Sequence, residues 1–495
     1  MGQLSDLGAH TFRSGLAALS VRVAQAVLSL IAAIVLARLL TPEDFGVVAM
    51  IVPFVILTNS MGNQGFQTTL IQSHELRPEH ASAFFWFAVR ANLALTVGLV
   101  VMGFVLAWFY GEARVIPLAV AWGLLIWLLT LTSFQEAMLK RDMRFPSVLI
   151  IQLAGSVAGI ACGIVAARAG ARYWAFFIQV LVVEIVRAPC VYLIGGWRPA
   201  APVAPAARAD DAEVSLRSFW RSLAGFRVAS WASDQPDRLL VGRLGGARAL
   251  GIYDTAQRWS SYAFAEPFLS LSDIAVASLS RVRRDPEQYR LFFAREARAI
   301  LTIGLPVIAF MVVEPASVVR VLLGSQWDAA VPFVRLLGVA AFFGSFTRLT
   351  QWVYFSSGTT DRLLRWWLLV QTPVLLASVL AGSSYGPRGV AIGYTAATVT
   401  LAIPSLAWCV SGTPLSLVTS LRAAARPTVA ALGAALLLAA AAPLLPRQVG
   451  AARLAAALAV YATCFLVGWL IVPGGAGAAR ELIVAVRELR LRSGS

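Results

Sequence analysis

Arginines, amides and carboxylates interrupt the long apolar stretches of this sequence, and they are the side chains that could do chemistry. A guanidinium group can hold two phosphate oxygens at once, and a side-chain amide can hydrogen-bond hydroxyl groups. Ionisable groups in apolar segments cost about 2.5–3.5 kcal/mol each on insertion scales and usually face a cavity or a partner. The candidate ligand-binding residues are Arg22, Gln25, Asn63, Gln64, Gln67, Arg90, Arg258 and Arg298.

Two carboxylates, each next to a proline, lie within apolar stretches: Asp237 and Glu266. A proline removes one backbone donor and frees a carbonyl in the preceding turn. A carboxylate, free carbonyls and water together suit a proton or a sodium ion, so these two residues are the candidates for ion coupling. The sequence leaves one alternative open, in which both carboxylates pair with Arg238 or Arg258 and only stabilise the helices.

Other charged residues have simpler structural interpretations. Arg90 can extend its charge to the membrane interface from a helix end. In three pairs, an acidic and a basic residue stand three or four positions apart, so the two charges of each pair can neutralise each other on one helix. These pairs are Asp234–Arg238, Asp254–Arg258 and Glu184–Arg187. His74 and His80 lack the spacing of a helix-borne metal site, and we predict neither a metal nor a cofactor.

The sequence argues against several classes of protein. The only lysine, Lys140, does not lie in the G-K-[ST] motif of a nucleotide-binding loop, which excludes an ATP-driven pump. The net charge of +16 is spread between the apolar runs and is not gathered on one face, so we predict no nucleic-acid partner. All four cysteines fall inside or at the ends of apolar runs, as expected of buried thiols.

Composition identifies the elements that must position these residues. Of the 495 residues, 59% are hydrophobic and 13% are charged. Apolar runs of about 18 to 25 residues recur along the chain, and each is long enough to cross a bilayer as a helix. We therefore predict an all-α polytopic membrane protein with about fourteen spans, near 14–40, 45–71, 83–109, 115–137, 147–167, 173–194, 218–244, 250–279, 292–319, 331–356, 363–382, 388–411, 427–445 and 452–472.

Arginine-rich loops predict the topology. The loops after even-numbered spans carry more basic residues than the opposite loops, which indicates that both termini are cytoplasmic. The basic residues assigned to those cytoplasmic loops include Lys140, Arg141, Arg144, Arg281, Arg283, Arg284, Arg290, Arg422 and Arg426.

The segment after Trp197 is rich in proline and alanine and divides the chain. We predict a six-helix lobe at 1–196, a cytoplasmic linker at 197–217 and a second six-helix lobe at 218–412. Two additional transmembrane helices follow at 413–476. The tail at 477–495 places apolar residues on one helical face among arginines, which predicts a helix on the anionic inner leaflet.

An internal repeat relates the two lobes. LARLLTPEDFGVV at the end of the first span resembles VGRLGGARALGIY at the end of the seventh, and Gly46 corresponds to Gly251. The third and ninth spans also correspond, with Arg90 matching Arg298. Both matches have nearly the same offset, about 205 and about 208 residues, which indicates parallel repeats around a central cavity.

Three motifs carry a resemblance to a known family: ARLLTPEDFGVVAM, GFQTTLIQ and QEAMLKRDMRF. They resemble the Wzx-type polysaccharide flippases of the multidrug/oligosaccharidyl-lipid/polysaccharide exporter superfamily, over roughly residues 10 to 410. The resemblance implies two six-helix lobes around a central cavity in the bacterial inner membrane. It also implies alternating access, driven by an ion gradient, that moves oligosaccharides linked to polyprenyl diphosphate.

The implied partners are the lipid-linked oligosaccharide, membrane lipids, a proton or sodium ion, and a polymerase with other polysaccharide assembly proteins. The candidate arginines would then hold the diphosphate, and the amides would hold the sugars. A drug/cation antiporter of the same superfamily is one alternative, since its fold and repeat would look alike. A membrane glycosyltransferase or polymerase is another, but its acidic residues would need larger outer loops. We therefore predict a transporter that is not an enzyme.

Overall fold

The computed structural model describes residues 24–72, 78–142, 144–200 and 235–471, together with residues 220, 224–225, 227–228 and 230–232. Within these ranges the backbone but not the side chain is described at 68, 69, 72, 78–80, 145, 263, 266, 267, 270, 273 and 274. The predicted tail therefore lies outside the described residues, as does the predicted linker beyond Ala200.

The described residues form α-helices joined by short turns, and they contain no β-strand. In chain order the helices are α1 (Ala24–Leu39), α2 (Pro42–Asn59), α3 (Gly65–Gln72), α4 (Pro78–Tyr110), α5 (Val115–Arg141), α6 (Phe145–Arg168), α7 (Trp174–Gly195), α8 (Pro236–Arg281), α9 (Pro286–Val313), α10 (Pro315–Leu322), α11 (Val331–Ser357), α12 (Thr360–Trp366), α13 (Thr372–Ser383), α14 (Gly386–Val410), α15 (Leu417–Ala441) and α16 (Ala451–Ile471). One π-helical turn, Ser60–Gln64, joins α2 to α3, and another, Trp367–Gln371, joins α12 to α13.

Eleven helical segments of the described chain are long and apolar enough to cross a membrane. Only helices or closed barrels satisfy the backbone in lipid, so the predicted class, an all-α polytopic membrane protein, is confirmed. α1 is apolar but shorter than these eleven, and the polar α8 is not among them. The predicted count of fourteen spans stays a prediction.

The chain packs as two compact units. The first contains the described residues through Asp254 and the segment Ser383–Val390. The second contains Thr255–Gly382 and the described residues from Ala391 onward. The boundary between the two units therefore lies inside α8. The sequence instead predicts the boundary between the lobes at the 197–217 linker. The predicted domain boundaries stay a prediction.

A cap starts α2 and ties neighbouring turns of the first unit together. Thr41 precedes Pro42, and its hydroxyl accepts a hydrogen bond from the backbone N–H of Asp44 at 3.3 Å, a capping box that stabilises the first turn. The buried Asp44 carboxylate also lies 3.2 Å from Nε of Arg172. In the turn before α5, hydrogen bonding from Arg114 lowers the pKa of Glu112.

Three glycines spaced four residues apart form one face of α6: Gly155, Gly159 and Gly163. A Cβ atom placed on Gly159 would lie 2.5 Å from the backbone oxygen of Gln179 on α7. The glycines therefore let the backbones of α6 and α7 approach closely, the usual packing of small residues between membrane helices.

α8 folds back on itself at Gly246, whose φ of 67° is readily adopted only by glycine. Asp237 and Tyr253 are 16 residues apart, which would separate them by about 24 Å along a straight helix. Their side chains are nevertheless hydrogen-bonded at 2.6 Å. The two arms of α8 thus lie side by side, and the turn falls between the predicted spans 218–244 and 250–279.

The predicted span at 427–445 begins too late. α15 begins at Leu417, because the hydroxyl of Ser416 accepts from the N–H of Thr419 at 3.1 Å and caps the helix. The placement of Arg422 and Arg426 in a cytoplasmic loop was therefore wrong. Both lie within α15, and the buried Arg426 guanidinium stacks 4.4 Å over the ring of Trp469.

Candidate functional site

A network of buried charges lies inside the first unit, between α5 and α7. The Glu136 carboxylate is 4% exposed and pairs with Nζ of Lys140 at 2.7 Å. Arg187 of α7 bridges the carboxylates of Glu136 and Glu184. Gln152 of α6 donates to Glu136 at 2.9 Å. Two acids and two bases thus neutralise each other, as buried membrane charges require.

Two of the contacts in this network join residues that are neighbours on the same helix. Glu136 and Lys140 are four residues apart and share one face of α5, while Glu184 and Arg187 are three apart on α7. The α6 face supplies the room, since a Cβ on Gly155 would lie 3.1 Å from Cγ of Arg187. The predicted neutralisation of Glu184 by Arg187 is confirmed, and Glu136 is an additional partner that the spacing on α7 could not indicate.

A second polar cluster surrounds the π-helical turn after α2. Asn63 is buried, and its amide donates to the carbonyl of Ile126 at 3.0 Å and to Asn59 at 3.1 Å. Asn92 of α4 is also buried and donates to Asn63 at 3.4 Å. A Cβ on Gly62 would lie 2.0 Å from Oδ1 of Asn92, so the Asn92 amide packs directly against the backbone of this glycine. In this arrangement the Asn63 side chain joins helices to each other.

The turn of α8 buries a third polar cluster in the first unit. Asp237 is completely buried and accepts a hydrogen bond from the hydroxyl of Tyr253 at 2.6 Å. Beside it, Nε of Arg238 lies 3.0 Å from Oδ1 of Asp254. A hydrogen bond and an ion pair thus join the arms of α8 across the turn at Gly246.

The two glycines matched by the internal repeat face each other in the first unit. A Cβ atom placed on Gly46 would lie 1.6 Å from the backbone oxygen of Ala247. One placed on Gly251 would lie 1.8 Å from the backbone oxygen of Pro42. Pro42 and Ala247 also stand at corresponding positions of the repeat. Gly46 therefore packs on the carbonyl four residues before Gly251, and Gly251 packs on the carbonyl four residues before Gly46. The two backbone segments cross each other in this reciprocal way.

The predicted site residues fall in different environments. Arg22 lies outside the described residues, and so does the side chain of Glu266. Gln25 and Gln67 are half-buried, with Gln67 accepting from Nζ of Lys140 at 3.5 Å, while Gln64 is exposed. Arg90 on α4 and Arg258 on α8 are exposed, and Arg298 on α9 is half-buried. The assignment of these residues to a cavity, and of Asp237 and Glu266 to ion coupling, stays a prediction.

Glu136, the carboxylate shared by Lys140 and Arg187, is not among the site residues predicted from the sequence. It lies in the QEAMLKR motif, which was used only for its resemblance to a family. The signal was present, because a carboxylate four residues before the only lysine, inside an apolar run, indicates a charge that must be neutralised there. Lys140 was assigned to a loop, although α5 extends to Arg141.

Comparison with known proteins supports the resemblance. Residues 35–332 match the family described as polysaccharide biosynthesis protein. The chain is 24% identical over 405 residues to the succinoglycan biosynthesis transport protein ExoT of Rhizobium meliloti (strain 1021), covering 80% of each chain. It is 18% identical over 369 residues to the lipopolysaccharide biosynthesis protein WzxC of Escherichia coli (strain K12), covering 74% of each chain.

Solved structures agree on the fold. The structure of the lipid II flippase MurJ in an inward closed conformation superposes with a TM-score of 0.67 at 13% identity, covering 95% of this chain and 100% of MurJ. An inward-facing multidrug resistance MATE transporter of the MOP superfamily gives 0.61 at 14% identity, covering 80% of this chain and 97% of the transporter. With the family match spanning more than half of its length, this membrane protein belongs to the polysaccharide biosynthesis protein family.

Proposed function

We propose that the protein flips oligosaccharides linked to polyprenyl diphosphate across the inner membrane for exopolysaccharide, capsule or O-antigen synthesis. The observation that carries the proposal is the match of a multi-helix membrane chain to the polysaccharide biosynthesis protein family. Two proteins similar to this chain are named for succinoglycan biosynthesis transport and for lipopolysaccharide biosynthesis. The likeness to MurJ and a MATE transporter supports a transporter fold. The proposed role is transport without chemical change to the ligand.

The ligand chemistry fits arginines and amides. A diphosphate presents oxygens that guanidinium groups bind in pairs, and sugars present hydroxyls that amides bind. We assign the diphosphate to Arg22, Arg90, Arg258 and Arg298, and the sugars to Gln25, Gln64 and Gln67. The exposure of Arg90 and Arg258 supports this assignment, because a ligand can reach an exposed residue. Asn63 would act through the helix arrangement, since it is buried among backbone and amide partners.

Replacing Arg90, Arg258 or Arg298 by alanine should reduce polymer export by at least about tenfold, the effect of losing about 1.4 kcal/mol of binding. Lysine should restore export only in part, because an ammonium group cannot hold two phosphate oxygens in the same plane. Export is measured in cells that lack the native gene, with the amount of protein in the membrane determined in parallel. Arg320→Ala is the control, because Arg320 pairs with Asp328 at an exposed turn. Export at the unmodified level from all three alanine variants would contradict the assignment.

We also propose that Asp237 and Glu266 hold the coupling ion, a proton or sodium. The burial of Asp237 supports this, because a carboxylate enclosed by protein changes its charge only when an ion binds or leaves. Asp237→Asn should abolish the dependence of flipping on an imposed ion gradient in proteoliposomes, while ligand still binds. Glu266→Gln should act in the same way.

Asp254→Asn is the matched control for the ion-coupling experiment. It removes one carboxylate from the same turn, but that carboxylate belongs to the ion pair with Arg238. This variant should lower stability and leave the gradient dependence in place. If Asp237→Asn and Glu266→Gln both keep normal gradient-dependent flipping, these carboxylates only stabilise the helices.

Alternating access requires the two repeats to move relative to each other. We propose that they separate and rejoin at the crossing of Gly46 and Gly251, since no side chain has to withdraw where backbone meets backbone.

The proposal further places both termini in the cytoplasm, from the excess of basic residues in the loops assigned to that side. A polymerase and other assembly proteins are the proposed partners.

A further inference from the structure

A cavity of about 620 Å³ opens in the second unit where α8 ends and α9 begins. It is lined by Ser280, Arg281, Arg283 and Arg284. The volume lies in the range of about 300–1,000 Å³ that is usual for small-molecule sites. Three of these four described lining residues are permanent cations, and none of the four is a carboxylate.

The charge of this cavity is not neutralised within the described part of the chain. None of its three arginines forms an ion pair there. The nearest acid in sequence, Asp285, is engaged elsewhere, because its carboxylate accepts from the N–H groups of Glu287 and Gln288 and caps α9. Arginines near other helix ends do have carboxylate partners: Arg114 pairs with Glu43 and Glu112, Arg172 with Asp44, and Arg320 with Asp328.

The cavity wall is well anchored. The N–H of Asp285 donates to the carbonyl of Val282 at 3.0 Å and closes the turn. Tyr289, buried in the first turns of α9, shares a 2.7 Å hydrogen bond with Ser356 near the end of α11. A Cβ on Gly358, just beyond α11, would lie 3.7 Å from Nη1 of Arg283. The turn that carries the arginines is thus held against the end of α11.

The position of the turn indicates the source of the ligand. α9 is one of the helices that are long and apolar enough to cross a membrane, and it begins at Pro286, two residues after the last of the three arginines. Basic clusters that precede a membrane-crossing helix attract anionic lipid headgroups. A guanidinium group matches phosphate in shape as well as charge.

We propose that this cavity, formed by Ser280, Arg281, Arg283 and Arg284, binds the phosphate of an anionic lipid headgroup. The site belongs to the second unit, uses none of the residues assigned to transport, and does not depend on the proposed function. Its ligand is a phosphate ester, supplied by the bilayer and not by free phosphate in solution.

Native mass spectrometry of the full chain tests the proposal, with dioleoylphosphatidylglycerol as the anionic lipid and dioleoylphosphatidylcholine as the zwitterionic reference. The protein should retain phosphatidylglycerol in preference to phosphatidylcholine. Each single variant, R281Q, R283Q or R284Q, should weaken retention about fivefold, and the triple variant more than about tenfold. Arg295→Gln is the matched control: it removes one exposed cation from α9 outside the cavity and should retain lipid normally.

Inorganic diphosphate separates lipid from soluble phosphate as the source. Added to the lipid-bound protein, it should displace part of the phosphatidylglycerol, which would show that phosphate is the group recognised. The proposal is overturned if the triple variant keeps its lipid, if R295Q loses as much lipid as R283Q, or if diphosphate binds and phosphatidylglycerol does not. Because the triple variant could misfold, thermal unfolding is measured for each variant, and the comparison of R283Q with R295Q decides the outcome if it does.

Discussion

Gly46→Ala should lower the free energy of unfolding by about 3 kcal/mol, because the added methyl group cannot fit between two backbones. It would lie 1.6 Å from the backbone oxygen of Ala247, and a backbone carbonyl cannot rotate away as a side chain can. The helices would have to separate at the crossing. Denaturant unfolding of the purified protein measures the loss, and polymer export should fall in parallel.

Gly251→Ala should have a similar effect, because its methyl group would meet the backbone oxygen of Pro42 at the same crossing. The double variant should lose less than the sum of the two single losses, since one separation relieves both contacts. Gly98→Ala on α4 is the control, because a Cβ there has nothing within 4 Å. That variant should be neutral or gain up to about 1 kcal/mol in helix propensity. A Gly46→Ala protein as stable as Gly98→Ala would contradict the close crossing.

Arg187→Met should cost about 3–5 kcal/mol, because it leaves a buried carboxylate without its cation. Glu136 keeps Lys140 as a partner, but Glu184 loses the cation to which it is paired. Arg320→Met is the control: it breaks a pair in which both side chains are 43% exposed, and such pairs contribute about 0–1 kcal/mol. The free energy of unfolding is measured for both variants.

Second substitutions identify which carboxylate causes the loss. Glu184→Gln should restore most of the stability of the Arg187→Met protein, because it neutralises the stranded acid. Glu136→Gln should not, because it leaves Glu184 charged and removes the partner of Lys140. Equal restoration by the two substitutions would mean that the charges do not pair as the structure shows.

The sequence by itself determined the class of fold and much of the local structure. Apolar runs long enough to cross a bilayer can satisfy their backbone only as helices, so an all-α membrane protein followed from composition. Thr41, Pro42 and Asp44 specify the start of α2 through a capping box. The spacing of Glu184 and Arg187 was sufficient to predict their ion pair, because residues three apart are neighbours on any helix.

The internal repeat was visible in the sequence, but the contact between its two equivalent glycines was not. Matching the two halves identified Gly46 and Gly251 as equivalent positions, but equivalence does not imply contact. Their reciprocal packing on backbone carbonyls depends on how closely two helices, about 205 residues apart in the chain, cross each other. Only the folded chain sets that crossing.

The tertiary structure also decided which charges are neutralised by which partners. Arg187 bridges Glu136 on another helix, and Arg238 bridges Asp254 across the turn at Gly246. Helix periodicity fixes only the neighbours within one helix, whereas partners on other helices depend on the packing of faces that are distant in sequence. A buried charge makes a partner obligatory, so the sequence could show that partners must exist, and only the packing of the helices could select them.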